Sequence, residues 1–174
     1  MKKQIDVFAY IGLICKQMSK GILLTAKADS YVNTMTIGWG TLGIEWGKKL
    51  FVAYVRESRF TREMIDKTGE FTINIPLESI DTEIIRYCGS KSGRDTDKTK
   101  NLELTLVESD VIDVPGIKEL PITLECRVMY SHKQDANELP VPSIERFYPI
   151  EENGKRDNHI AYYAEIVNAY LITD

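Results

Sequence analysis

The sequence predicts a mainly β protein, an antiparallel β-barrel carrying a few helices. Three observations predict it. Short runs rich in Val, Ile, Thr, Tyr and Phe recur along the 174 residues, the composition of pleated, half-buried strands. Clusters of Gly, Pro, Asn and Asp separate those runs, as tight turns require. Only three stretches read as helices, and all are short. Many short strands with few helices point to a sheet closed on itself.

Residues 6–18, D-V-F-A-Y-I-G-L-I-C-K-Q-M, carry apolar groups at mixed spacing and read as a short helix weakened by Gly12. Residues 21–28 read as a strand, Asp29-Ser30 as a turn, and 31–39 as the returning strand of a hairpin. Gly38, Gly40, Gly43 and Gly47 punctuate the next stretch, so 40–48 is expected to be a loop. Leu50 to Val55 is the clearest buried strand. Ser58 is placed as an N-cap, with Phe60, Met64 and Ile65 at helical spacing up to Lys67 and Gly69 as the stop. Residues 71–75 make another strand. Asp81 or Ser79 caps a further helix through Cys88 that ends at Gly89. A polar loop covers 89–98, and strands are expected at 102–107, 121–131 and 160–172. No repeat or domain boundary interrupts the chain, so residues 1–174 are expected to be one domain.

Composition narrows the function classes. The chain is 43% hydrophobic and 28% charged, as globular domains are. A net charge of −4 argues against a nucleic-acid partner, which wants a concentrated basic face. No apolar run approaches the roughly 18 residues that span a bilayer, so no membrane partner is expected. Asp6, Gly12 and Lys16 break the segment after the first lysines, which argues against a signal peptide. Cys15, Cys88 and Cys126 lack C-x-x-C spacing and are expected to be reduced, buried thiols of a cytoplasmic protein. With His132 and His159 as the two histidines, no metal centre is expected.

Three segments carry chemistry. In V-R-E-S-R-F-T at 55–61, a helix start exposes unpaired N–H groups and partial positive charge, which favour an anion. Ser58 and Thr61 can cap that helix or donate to a phosphate, and Arg56 and Arg59 can add charge-assisted forks. An ordinary capped helix with solvated arginines is the plain alternative. In N-T-M-T-I-G-W at 33–39, Thr34 and Thr36 share one strand face while Asn33, Met35 and Ile37 share the other. Hydroxyls beside apolar surface suit the edge of a heteroaromatic ring, and equally a surface threonine ladder. The loop G-S-K-S-G-R-D-T-D-K at 89–98, with Ser90, Ser92, Gly93, Arg94, Asp95 and Lys98, can wrap a phosphate or remain a solvated loop. His159 reads as either structural or ligand-facing. Trp39 and Trp46 read as core or dimer-interface aromatics.

Together these segments resemble a family. N-T-M-T-I-G-W-G at 33–40, W-G-K at 46–48, V-R-E-S-R-F-T at 55–61, G-E-F-T-I-N-I-P at 69–76 and S-G-R-D-T-D-K at 92–98 are similar to flavin reductase-like, FMN-binding split-barrel proteins, in particular the flavoredoxin branch. L-E-C-R-V at 124–128 and H-I-A-Y-Y-A-E-I-V at 159–167 come in the same order. The resemblance implies a six-stranded antiparallel Greek-key barrel, a homodimer, holding FMN near the subunit interface. It implies that Asn33, Thr34, Met35 and Thr36 line the flavin, and that Ser58, Arg59 and Thr61 meet the phosphate, with Arg56 beside them among the cofactor-binding residues. Ser90, Ser92, Gly93, Arg94, Asp95 and Lys98 would close the pocket, and His159 would stand near the flavin or nicotinamide as the catalytic candidate. Ala164 stands where the family carries a glycine, so its methyl is expected to crowd whatever approaches there.

The implied activity is an FMN-dependent oxidoreductase fed by NAD(P)H or a protein electron donor. The rival is a flavoredoxin-type carrier without its own NAD(P)H turnover.

Overall fold

Alternation of apolar side chains sends one face of each long strand into a shared interior. The computed structural model describes residues 1–79 and 81–173. In chain order it contains β1 (Lys2–Gln4), α1 (Ile11–Met18), β2 (Ile22–Ala28), β3 (Tyr31–Ile37), β4 (Gly40–Glu45) and β5 (Lys48–Arg56). Next come α2 (Phe60–Thr68), β6 (Glu70–Ile75), α3 (Thr82–Ser90), α4 (Lys98–Asn101), β7 (Leu106–Val107) and β8 (Gly116–Ile117). The chain closes with β9 (Ile122–Lys133), α5 (Val141–Phe147) and β10 (His159–Ile172).

The main sheet runs β3-β2-β6-β9-β10-β5-β4 with every pair antiparallel, and β7 and β8 form a separate ribbon. Opposite β9, β10 takes two partners in succession: His159–Glu165 pair with β5, and Tyr170–Ile172 with β1. Irregular steps at Tyr163/Ala164 and Ile166/Asn168 give the bends a long strand needs to follow a curved sheet.

Two apolar layers result. Leu24, Met35, Phe51, Val55, Ile73 and Leu124 fill the interior, plugged by Ile14 and Met18 of α1 and Met64 and Ile65 of α2. On the other side of β2, Leu23 packs with Cys88, Leu104, Ile117 and Leu120. A polar ladder runs through that side: Thr25 donates to Thr34 Oγ1 at 3.1 Å, and Asn74 Nδ2 to Thr25 Oγ1 at 3.1 Å. The 40–48 stretch, expected as a loop, is strand β4 and the turn into β5. Trp46 (φ 53) and Gly47 (φ 72) occupy the left-handed region at that turn, as a two-residue hairpin turn matched to sheet twist needs.

Other expectations are corrected. Among the described residues there are five α-helices, not three, and β1 was not foreseen. The 6–18 helix is a 3-10 turn at Val7–Tyr10 followed by α1. Gly89 lies inside α3, which ends at Ser90, and the 102–107 strand shrinks to β7. Cys15 is exposed, whereas Cys88 and Cys126 are buried, and all three are free thiols. Trp46 is 69% exposed, so it is no core residue. Ala164 is fully buried between Phe51 and Val128, so its methyl packs in the interior and crowds no opening. Gly38, Gly40 and Gly43 have the G-x-G-x-x-G spacing of a dinucleotide loop, but they run into strand β4. No helix start meets a pyrophosphate there. Among the described residues, no helix is long and apolar enough to cross a membrane.

Candidate functional site

Alternation along β3 decides which side chains can see a ligand. Asn33, Met35 and Ile37 face the interior, and the end of that interior opens as two clefts of about 170 and 150 Å³. Met35 and Arg59 border both, so the clefts lie side by side.

The first cleft is aromatic. Gly38, Trp39, Tyr54, Arg56 and His159 line it. Trp39 is 42% exposed and lies against His159, ring centroids 5.0 Å apart, and edge-on to Phe147 at 5.0 Å. Tyr54 and Arg56 alternate onto one face of β5, beside His159 at the start of β10. Arg56 donates to the carbonyls of Asp157 at 2.8 Å and Phe147 at 2.9 Å, clasping both ends of the 147–157 segment. His159 meets the Tyr148 hydroxyl through Nδ1 at 2.8 Å. Burial, then the Arg56 charge, pushes its pKa down to about 4, so the ring is neutral.

The second cleft is cationic. Arg59, Lys91, Arg94 and Lys98 surround the start of α2, together with Ser58, Phe60, Thr61, Ser92 and Gly93. The first N–H groups of a helix have no partner within it. Asn33 Nδ2 donates to Thr61 Oγ1 at 2.7 Å, while Asn33 Oδ1 is a buried acceptor with no partner. Lys98 is 3% exposed, and its Nζ donates to Thr34 O at 2.8 Å and Cys88 O at 3.0 Å. Burial lowers its pKa to about 8. The 91–96 loop is pinned by the Tyr31 hydroxyl, which donates to Gly93 O at 2.9 Å. Arg94 stands over the Phe60 ring at 5.3 Å and pairs with Glu63.

Twelve of the fifteen expected site residues border these clefts: Asn33, Met35, Thr36, Arg56, Ser58, Arg59, Thr61, Ser92, Gly93, Arg94, Lys98 and His159. The other three do not border them. Thr34 borders neither cleft; it is fully buried, with its hydroxyl on Leu24 O at 3.3 Å and Thr25. Ser90 and Asp95 are exposed and outside both linings. Thr36 borders the first cleft, but its hydroxyl turns to Ile85 O of α3 at 2.6 Å. Ser58 is not the cap, because Arg59 holds that position without a side-chain bond and the Ser58 hydroxyl donates to Asp157. Sequence reasoning missed Tyr54, Phe60, Lys91 and the whole 134–158 excursion. Tyr54 was signalled by its two-residue spacing from Arg56; the excursion has no periodic pattern.

Residues 17–174 match the family described as flavin reductase like domain. An uncharacterized protein of Archaeoglobus fulgidus is 35% identical over 97 residues, 56% of this chain and 54% of that relative. The chain spans about half the length of the curated relatives it matches. Its fold is similar to flavoredoxin of Methanosarcina acetivorans, with TM-score 0.64 and 25% identity over 87% of this chain and 68% of that one. It is also similar to an FMN-binding domain of a flavin reductases-like enzyme from Shewanella baltica, with TM-score 0.64 and 19% identity, covering 98% of this chain and 77% of that one.

Proposed function

The chain belongs to the flavin reductase like domain family, and on that premise we propose an FMN-dependent oxidoreductase taking electrons from NAD(P)H or a protein donor. The adjacency of the two clefts carries this reading. An aromatic end joined to a cationic end through Met35 and Arg59 has the order of chemistry of a planar ring with a phosphorylated tail.

The residues fit that group. Arg59, Lys91, Arg94, Lys98 and the α2 start would hold its phosphate. Asn33, whose Nδ2 donates to Thr61 Oγ1 at 2.7 Å, would hold that hydroxyl in place beside the phosphorylated tail. Bound FMN supplies hydride and electron chemistry at its ring, and the protein supplies position and charge. Met35 offers an apolar floor, Arg59 keeps positive charge beside both ends, and neutral His159 neither adds charge nor releases a proton near neutral pH. Protein supplemented with FMN should show visible flavin absorbance and bind FMN more tightly than riboflavin. Absence of both refutes the reading.

A second reading is a flavoredoxin-type carrier without NAD(P)H turnover, favoured by the 25% identity to flavoredoxin and by a glycine pattern at 38–43 that leads into a strand. Anaerobic stopped-flow mixing separates the two: rapid bleaching by NADH or NADPH supports the reductase, and reduction by a protein donor alone supports the carrier. We further propose a cytoplasmic homodimer with residues 1–174 as one domain. Edge strand β4 and the turn after it expose Ile44 and Trp46, 68% and 69% accessible, apolar surface that a second copy would cover. Light scattering reading a monomer would overturn the dimer.

A further inference from the structure

One phenolic hydrogen must serve two neighbours at the rim of the aromatic cleft. The Tyr148 hydroxyl lies 3.0 Å from Gln134 Oε1 and 2.8 Å from His159 Nδ1. Gln134 Oε1 is a carbonyl oxygen and can only accept, so the phenol donates there. Its oxygen is then an acceptor for the imidazole, and His159 Nδ1 carries the ring hydrogen. A neutral imidazole has a single ring hydrogen, which leaves Nε2 as a bare lone pair. Among the described residues nothing is hydrogen-bonded to that atom, and it is not one of the sealed polar atoms. The ring itself lines the Trp39 cleft.

The relay is rigidly held. The Gln134 N–H donates to His159 O at 2.9 Å, and the Tyr148 N–H to Ile144 O at 2.9 Å. Tyr148 is 5% and His159 6% exposed. Burial drives the phenol's pKa up and the imidazole's down to about 4, so both are neutral at ordinary pH.

We propose that Gln134 and Tyr148 are positioning residues that fix His159 as its Nδ1–H tautomer, so that Nε2 accepts a hydrogen bond from an N–H donor of the ring bound in the Trp39 cleft. The ligand class is then a heterocyclic imide or a carboxamide. This rests on the flavin reading, which offers two such donors, the ring imide of FMN and the carboxamide of a reduced nicotinamide.

The test has a ligand-free arm and a binding arm. In histidine-15N-labelled protein, long-range proton–nitrogen correlation should show His159 with a protonated Nδ1, while exposed His132 serves as a solvent-averaged reference. Gln134→Leu should flip His159 to the Nε2–H form, because the phenol hydrogen then goes to Nδ1; Tyr148→Phe should give a mixture. An Nε2–H pattern in the parent protein, or no change in Gln134→Leu, overturns the inference. The second arm compares FMN with its N3-methyl derivative, and NADH with reduced 3-acetylpyridine adenine dinucleotide, which lacks the amide hydrogens. One of the two changes should weaken binding about tenfold, the effect of one lost hydrogen bond in a desolvated site, and Gln134→Leu should close that gap. Equal binding of both analogues and their parents overturns it. A parent protein that binds no FMN refutes the flavin reading instead, and the 15N arm reads out independently of it.

Discussion

Asp157 accepts two hydrogen bonds from Ser58, one from its backbone N–H at 3.0 Å and one from its hydroxyl at 2.7 Å. A carboxylate of the chain therefore stands at the entrance to α2, beside the cations that would receive a phosphate. Like charges repel there, and the Ser58 hydroxyl is engaged. Asp157→Ala should tighten FMN binding roughly fivefold, the effect of about 1 kcal/mol for a half-exposed charge. Riboflavin, which has no phosphate, should bind as before. Fluorescence-quenching titrations measure both. A parallel change in the two ligands would show that Asp157 shapes the 147–157 segment and does not compete with an anion.

Lys98 makes phosphate affinity depend on pH. Burial holds its pKa near 8, below the ordinary lysine value, so the ammonium is partly deprotonated above that pH. An anion in the cleft favours the charged form and raises the pKa, so binding takes up a proton. Affinity for FMN should then fall as pH rises through about 8, where the ligand's phosphate is already fully ionised. Lys98→Met should bind more weakly and lose this dependence. Calorimetry in two buffers of different ionisation enthalpy would show the proton uptake; none near pH 8.5 would count against Lys98.

The legible parts of this fold are those where burial and local chemistry agree. Leu50–Val55 is apolar on both faces and is a central strand, and Gly69 ends α2 with φ 70, as its place after Lys67 implied. The glycines of 40–48 concealed β4, because an edge strand needs no apolar run. Alternation put Thr34 and Thr36 on one face of β3, but α3 and the 102–120 segment decide that this face is the covered one. Asn33 and Met35 face the cleft instead. The neighbours of Ser58 point to a cap, while its partner, Asp157, lies 99 residues away. Long-range pairing of that kind leaves no trace in spacing.

His159 should make the folded state acid-sensitive. Its folded pKa is lowered to about 4, while the unfolded chain binds the proton near the ordinary histidine value of about 6.5. Between those values the unfolded state holds more protons, so stability rises with pH across the window and is lost as pH falls through it. The contribution changes by at most about 1.4 kcal/mol per pH unit. Urea unfolding of His159→Gln between pH 4 and 7 should give a shallower pH dependence than the parent protein. Identical slopes would mean that the imidazole titrates normally.

Gly93 tests whether the 91–96 loop is the wall of the cationic cleft. A Cβ there would lie 2.2 Å from Asn33 Oδ1 and 3.0 Å from Phe60 Cδ1, while Asn33 is tied to Thr61 at 2.7 Å and the loop to Tyr31 at 2.9 Å. Overpacking of this kind costs about 1–3 kcal/mol, so Gly93→Ala must lift the loop off β3 or lose that much stability. FMN affinity should drop about tenfold or more, since Ser92, Arg94 and the Asn33 amide move together. Gly43→Ala, whose Cβ meets nothing within 4 Å, should leave FMN binding unchanged. Thermal unfolding alongside the titrations separates the two routes: a lower midpoint with intact affinity would place Gly93 in packing alone, outside the ligand's reach.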